Sequence, residues 1–244
     1  MRTTTARLLG LAAAAFAAQT ARAAPSAEVL DLAGRVQYGY YQAEPRAIDT
    51  ALTALERLGD SPEVVYYRDF AALRRAQLGG NDRAGTDRLR ACAQRDAQPK
   101  LDKRSAAEAW VLAAACAEVA GDDGRRERAL ALARERDDDN PRIALVEAWA
   151  MMRAAGTDAA KREAASTKLA AVVEAFDAWE PSLDDPDWGE AEALAALAAV
   201  AIERGQTRTA RDFIERALLL APDYRAALDL RVTMQSARGG NRPL

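Results

Sequence analysis

Apolar residues recur at spacings of three and four along nearly the whole chain, the pattern an amphipathic helix requires. Trp110, Ala113, Ala114, Ala117 and Ala120 form one such stripe, and Leu194, Leu197, Ala198, Ala201 and Ile202 another. Breakers interrupt the periodicity at Pro45, Gly59 to Pro62, Gly79-Gly80, Gln98 to Lys100, Gly121 to Gly124, Asn140-Pro141, Gly156, Pro181 to Pro186, Gly205 and Pro222. The pieces between them are about 10 to 20 residues long, which predicts roughly ten or eleven helices joined by tight turns. Val64-Val65-Tyr66-Tyr67 is the best strand candidate, yet it runs on into Phe70, Ala71, Leu73 and Arg74 with helical spacing, so a helix is expected there too. Ala and Leu dominate while β-branched residues are sparse, which also favours helix.

The helices come in pairs with an internal echo. From Ala191 to Tyr224 a first helix carries Leu194, Leu197, Ala198 and Ala201, Gly205 turns the chain, a second carries Ala210, Ile214 and Ala217, and Pro222 closes the unit. Small residues at Ala198 and Ala210 let two helices of a hairpin approach closely, and Ala217 lets the next hairpin stack. This order over a full unit resembles the tetratricopeptide repeat, whose period is about 34 residues. Looser copies precede it: Ala129, Ala133, Arg136 and Pro141; Ala47, Ala51, Ala54 and Gly59; Gly85, Leu89, Cys92 and Ala97; and Leu169, Val173, Phe176 and Pro181. The resemblance implies an all-α fold of antiparallel helix hairpins stacked as a right-handed superhelix over residues 24–238, with an irregular helical bundle as the alternative.

The N-terminus changes where such a protein is expected to work. Residues 1–23 carry Arg2 and Arg7, an apolar run from Leu8 to Ala18, and Ala21-Arg22-Ala23 in the small-x-small arrangement of a signal peptidase site. The run is far shorter than the ~20 residues of a membrane span. A Sec signal peptide cleaved near Ala23 is expected, giving a periplasmic or secreted product with no transmembrane anchor, and residues 239–244 are expected to form a disordered tail. Cleavage removes three arginines and no acid, lowering 34 basic residues to 31 against 37 acidic ones, a net charge of −6. An acidic exported chain is a poor partner for nucleic acid. Cys92 and Cys116 suit a disulfide in an oxidising compartment, but each also lies on an apolar helical face where a buried thiol behaves as a small hydrophobe, and the sequence leaves both open.

Candidate chemistry is thin. The chain has no His, which removes the commonest general base and the usual partner of a nucleophilic Ser or Cys. Two cysteines cannot by themselves complete a zinc sphere. The acids of Asp184-Asp185-Pro186-Asp187 do not fall in calcium-loop register, and Asp185 or Asp187 is expected to cap the helix that follows Gly189. Neither Gly79-Gly80 nor Gly239-Gly240 leads into the Lys-Ser/Thr of a phosphate loop, so no cofactor is expected. The chain is therefore read as a non-enzymatic adaptor or scaffold; a helical accessory domain, or an enzyme without His acting on cell-wall polymer, is the rival.

The aromatic residues point to where a partner would sit. Five of six tyrosines fall at Tyr38, Tyr40, Tyr41, Tyr66 and Tyr67, on the first and third helices, and such side chains favour interfaces. If first helices line a concave wall, Gln37, Tyr40, Tyr41, Tyr66, Arg68 and Arg74 form one end of a partner-binding surface, with Tyr38 and Tyr67 expected in the core. Glu192, Ala195, Ala199, Ile202, Glu203, Asp229 and Thr233 form the other end, suited to a basic or extended peptide. Trp110 and Trp149 are expected to pack between hairpins and Trp188 at the entry to the last unit. An outward apolar face on the final helix, from Leu228, Leu230, Val232 or Met234, would let the array continue into a partner.

Overall fold

A computed structural model of the chain describes residues 26–80, 82–96, 101–181 and 185–239. The expected signal peptide of residues 1–23 and the tail from 240 onward lie outside the described residues. What is described is all-α: α1 (Ala27–Tyr41), α2 (Pro45–Glu56), α3 (Pro62–Gln77), α4 (Arg83–Ala93), α5 (Lys103–Ala120), α6 (Asp123–Arg134), α7 (Pro141–Ala155), α8 (Ala159–Ala178), α9 (Glu190–Glu203), α10 (Thr207–Leu220) and α11 (Arg225–Gly239).

Local chemistry sets the boundaries. Ser26, Ser61, Asp82, Asp102, Asp122, Asn140 and Asp158 each accept a hydrogen bond from a backbone N–H of the first turn that would otherwise lack a partner. Pro45, Pro62 and Pro141 open α2, α3 and α7, where a missing N–H costs nothing. The N-cap of α9 corrects the sequence expectation. That helix begins after Gly189, and the carboxylate of Glu192 reaches back to accept the Gly189 N–H at 2.9 Å. Asp185 instead pairs with Arg104 of α5.

Consecutive helices pack as antiparallel hairpins, α1/α2, α3/α4, α5/α6, α7/α8 and α9/α10, with α11 laid on α9 and α10. First helices also touch one another, α1 on α3, α3 on α5 and α5 on α7, so the odd-numbered helices make an inner layer. The difference in exposure follows. α2 buries one stripe of Ile48, Ala51, Leu52 and Leu55, whereas α5 is buried from Ala106 to Glu108 and again from Trp110 to Glu118 because neighbours cover it on several sides. Small residues permit this crowding: a Cβ on Gly39 would stand 3.0 Å from Ile48 Cγ1, so α1 and α2 meet closely only because Gly39 lacks one. Ala198, Ala210 and Ala217 are likewise fully buried at the α9/α10 contacts. Cys92 of α4 and Cys116 of α5 are joined by a disulfide across an interface both helices bury.

The aromatic residues are arranged differently from the expectation at one position. Tyr67 is buried, but Tyr38 is 52% exposed, because the helical turn that buries Gly39 and Val36 carries Tyr38 outward. Trp110 and Trp188 are buried and Trp149 is half-buried. In α11, Met234 packs inward, Leu228 and Leu230 are half-buried and Val232 is exposed, as are Leu219 and Leu220 at the end of α10. Among the described residues no helix is long and apolar enough to cross a membrane.

Candidate binding cleft

The inner layer encloses a cleft of ≈ 650 Å³. Each first helix contributes to its wall: Tyr40 from α1, Gln77 from α3, Val119 from α5, Trp149 from α7, Ala199 from α9 and Thr233 from α11. No residue of α2, α4, α6, α8 or α10 does. Ala195, Ala196, Ala199 and Ala226 make a flat floor with little side chain to displace.

Beneath the cleft lies a buried ion pair. Arg74 of α3 is 0% exposed and donates from Nη2 to Oε1 of Glu192 in α9, which is 5% exposed. Such a pair is tolerable only when its remaining polar atoms are satisfied. Here Arg74 Nε donates to Gln37 Oε1 at 3.1 Å and Nη1 to Gln77 Oε1 at 2.9 Å, while Glu192 Oε2 accepts the Gly189 N–H and a longer contact from the Tyr41 hydroxyl at 3.5 Å. The guanidinium also lies over the ring of Tyr40 at 4.0 Å and near Phe70 at 4.9 Å, where the ring faces attract a cation. Burial opposes the Arg74 charge, but the Glu192 carboxylate and the Tyr40 and Tyr41 oxygens outweigh it, and its pKa is raised above its ordinary value. Burial, with Glu192 adding to it, pushes the Tyr41 hydroxyl upward as well.

Tyr224, the sixth tyrosine, closes the aromatic group at centroid distances of 4.8 Å from Tyr41 and 6.1 Å from Tyr40. Behind it Trp188 ties three elements together. Its ring lies 6.2 Å from Phe70 and 6.2 Å from Trp149, its Nε1–H donates to the Tyr66 hydroxyl at 3.2 Å, and its carbonyl accepts from Arg142 Nε at 2.9 Å. One rim of the cleft is a second charged knot. Arg153 of α7 grips both oxygens of Glu118 at 2.6 and 3.0 Å, Arg126 adds a contact at 2.9 Å, and Asp123 receives Arg153 at 2.6 Å. The hydrogen bonds that Arg153 donates to Glu118 and then to Asp123 raise its pKa, and those that Asp123 accepts from Arg153 and Arg126 lower the pKa of Asp123.

Of the residues singled out by sequence, the structure gathers Gln37, Tyr40, Tyr41, Arg74, Glu192 and Ala199 at this cleft or directly beneath it, together with Ala195, Asp229 and Thr233. Gln37, Arg74 and Glu192 spend their polar atoms mainly on each other. Three lie elsewhere: Tyr66 sits by Trp188, Arg68 pairs with Asp60 at 2.5 Å ahead of α3, and Glu203 pairs with Arg162 of α8. Ile202 packs into the small cluster around Ala210 and Ile214. Glu118, Arg153, Trp149 and Tyr224 were not anticipated as wall residues. The pairing of buried Glu192 with an arginine three hairpins earlier has no local sequence signal, and Tyr224 could have been found only through its place on the turn that leads into a cleft-facing helix. Compared with known family models and with curated proteins, the chain matches none of them.

Proposed function

We propose that this chain is an exported helical-repeat scaffold of tetratricopeptide-like character that holds a peptide or protein partner in the inner cleft. The observation that carries this reading is the wall itself, drawn from all six first helices and floored by alanines. A surface built from one helix of every hairpin suits an elongated ligand better than a compact one. The acids at the cleft also favour binding over acid–base chemistry, because Glu118 and Glu192 are engaged by arginines. The Cys92–Cys116 disulfide supports work in the periplasm or outside the cell, where such bonds persist.

Selection of a displayed peptide library against the chain beginning at Ala24 tests the binding claim. Recovered peptides should bind at least about tenfold more weakly to Ala199→Arg, a difference of ~1.4 kcal/mol, and equally well to Thr53→Arg on the outer face of α2. Peptides indifferent to Ala199→Arg would overturn the assignment of the cleft. Export is tested separately by intact mass of the product from a secreting host: an N-terminus near Ala24 is expected, and a mature protein that retains Met1 would sink the export reading.

A further inference from the structure

As the first helix of the inner layer, α1 packs on α2 and α3 and presents its remaining face to solvent. Leu30 and Tyr38 stand exposed on that face, one helical turn either side of Gly34, where a Cβ would meet nothing within 4 Å. All three line a groove of ≈ 400 Å³ whose far wall is Leu220 to Asp223, in the turn between α10 and α11. Leu220 is exposed too, and Leu219 beside it is 82% exposed, more than any other large apolar side chain among the described residues. Four of the seven exposed large apolar side chains described thus sit in or next to one groove. A soluble protein that works alone rarely leaves so much apolar surface contiguous.

The charges on the same face say what covers it. Asp31 and Arg35 flank the stripe of Leu30, Gly34 and Tyr38, and both side chains are more than half exposed. Arg35 spends only Nε on Asp31, at 2.9 Å, so its two Nη groups have no bond among the described residues. A twofold axis opposite Gly34 sets a second α1 antiparallel to the first, with Leu30 of each copy against Tyr38 of the other. The same operation brings each Arg35 within about 3 Å, along the helix axis, of the other copy's Asp31. Parallel helices would instead set Arg35 beside Arg35. The segment is therefore its own complement in shape and in charge. We infer that α1 is the contact of a twofold-symmetric dimer, in which two copies cross antiparallel at Gly34 and bring their grooves face to face, with Leu219 and Leu220 closing them. Side-chain size at a crossing sets the helix separation, and Gly34 keeps it small. Apolar burial supplies the affinity, while the exposed charges contribute little to it and fix the register. The groove and the inner cleft have no wall residue in common, so the inference stands whether or not the cleft binds a peptide.

Sedimentation equilibrium of the chain purified from a secreting host, over about 1–500 µM, tests it. The expected result is a concentration-dependent rise from the mass of one chain to that of two. Gly34→Gln puts a side chain at the crossing, where the single chain has open space. It should weaken association at least about tenfold while the monomer unfolds at no lower temperature. Leu220→Glu should weaken it to a similar extent. Asp31→Arg sets like charges against each other and should weaken the dimer severalfold, whereas Asp31→Arg combined with Arg35→Asp reverses both signs and should restore it. A chain that is monomeric at the highest concentration overturns the inference and leaves the face to a different protein. A dimer indifferent to Gly34→Gln and Leu220→Glu overturns it by placing the contact elsewhere. A double variant that associates no more tightly than Asp31→Arg alone overturns the antiparallel crossing.

Discussion

Glu192→Ala should be among the most damaging single substitutions in this protein. It strips the carboxylate from an arginine with no exposed surface, leaving the Arg74 charge with the Gln37 and Gln77 amide oxygens and the rings of Tyr40, Phe70 and Trp188. Removing one partner of a buried pair costs about 3–5 kcal/mol. The same change uncaps the Gly189 N–H at the start of α9, adding about 1 kcal/mol. For a chain of this size the sum lowers the melting temperature by roughly 10–20 °C. Urea unfolding followed by far-UV circular dichroism and Trp fluorescence measures it. The partner experiment is Arg74→Met with Glu192→Leu, which replaces both charges by apolar groups. That double variant should regain most of the loss and remain less stable than the parent chiefly by the missing cap. If Glu192→Ala costs under about 1 kcal/mol, or if the double variant is no better than the single, then α3 and α9 are not joined through this pair and the base of the cleft is wrongly described.

Three further outcomes follow from other parts of the structure. Burial is the first cause of raised hydroxyl pKa values at Tyr40, Tyr41, Tyr66 and Tyr224, so these groups ionise in the unfolded chain near pH 10 but not in the folded one. Their contribution is complete below pH 10 and is lost as pH rises above it, by up to about 1.4 kcal/mol per pH unit for each; native absorbance at 295 nm that shows all six tyrosines ionising near pH 10 would contradict this. Reducing the Cys92–Cys116 bond, which spans a sequence separation of 24, should cost about 3.5 kcal/mol by the loop-entropy rule, seen as a lower urea midpoint in dithiothreitol; an unchanged midpoint would mean that the cross-link does not restrict the unfolded chain. Gly189→Ala should destabilise by about 2–5 kcal/mol, since φ is +112° there and a Cβ would stand 2.8 Å from both Leu145 Cδ2 and Phe176 Cζ; thermal unfolding within 2 °C of the parent would refute the close approach.

The sequence by itself determined the helices, their pairing and the identity of the inner layer. These are local matters: apolar spacing places Ile48, Ala51, Leu52 and Leu55 on one stripe of α2, and Ser61 and Asp102 cap the turn they precede. Only the tertiary structure decided what the charged and aromatic residues do. Arg74 and Glu192 are 118 positions apart, and nothing near either in the chain says that the fold brings them together and closes them from water. The same holds for Glu108 with Arg142 and for Trp188 with Tyr66. Periodicity reports which face of a helix is apolar, but whether a polar side chain on that face meets water or an arginine depends on helices that arrive from elsewhere in the chain. That is why the paired helices were legible in the sequence and the ion pair beneath the cleft was not.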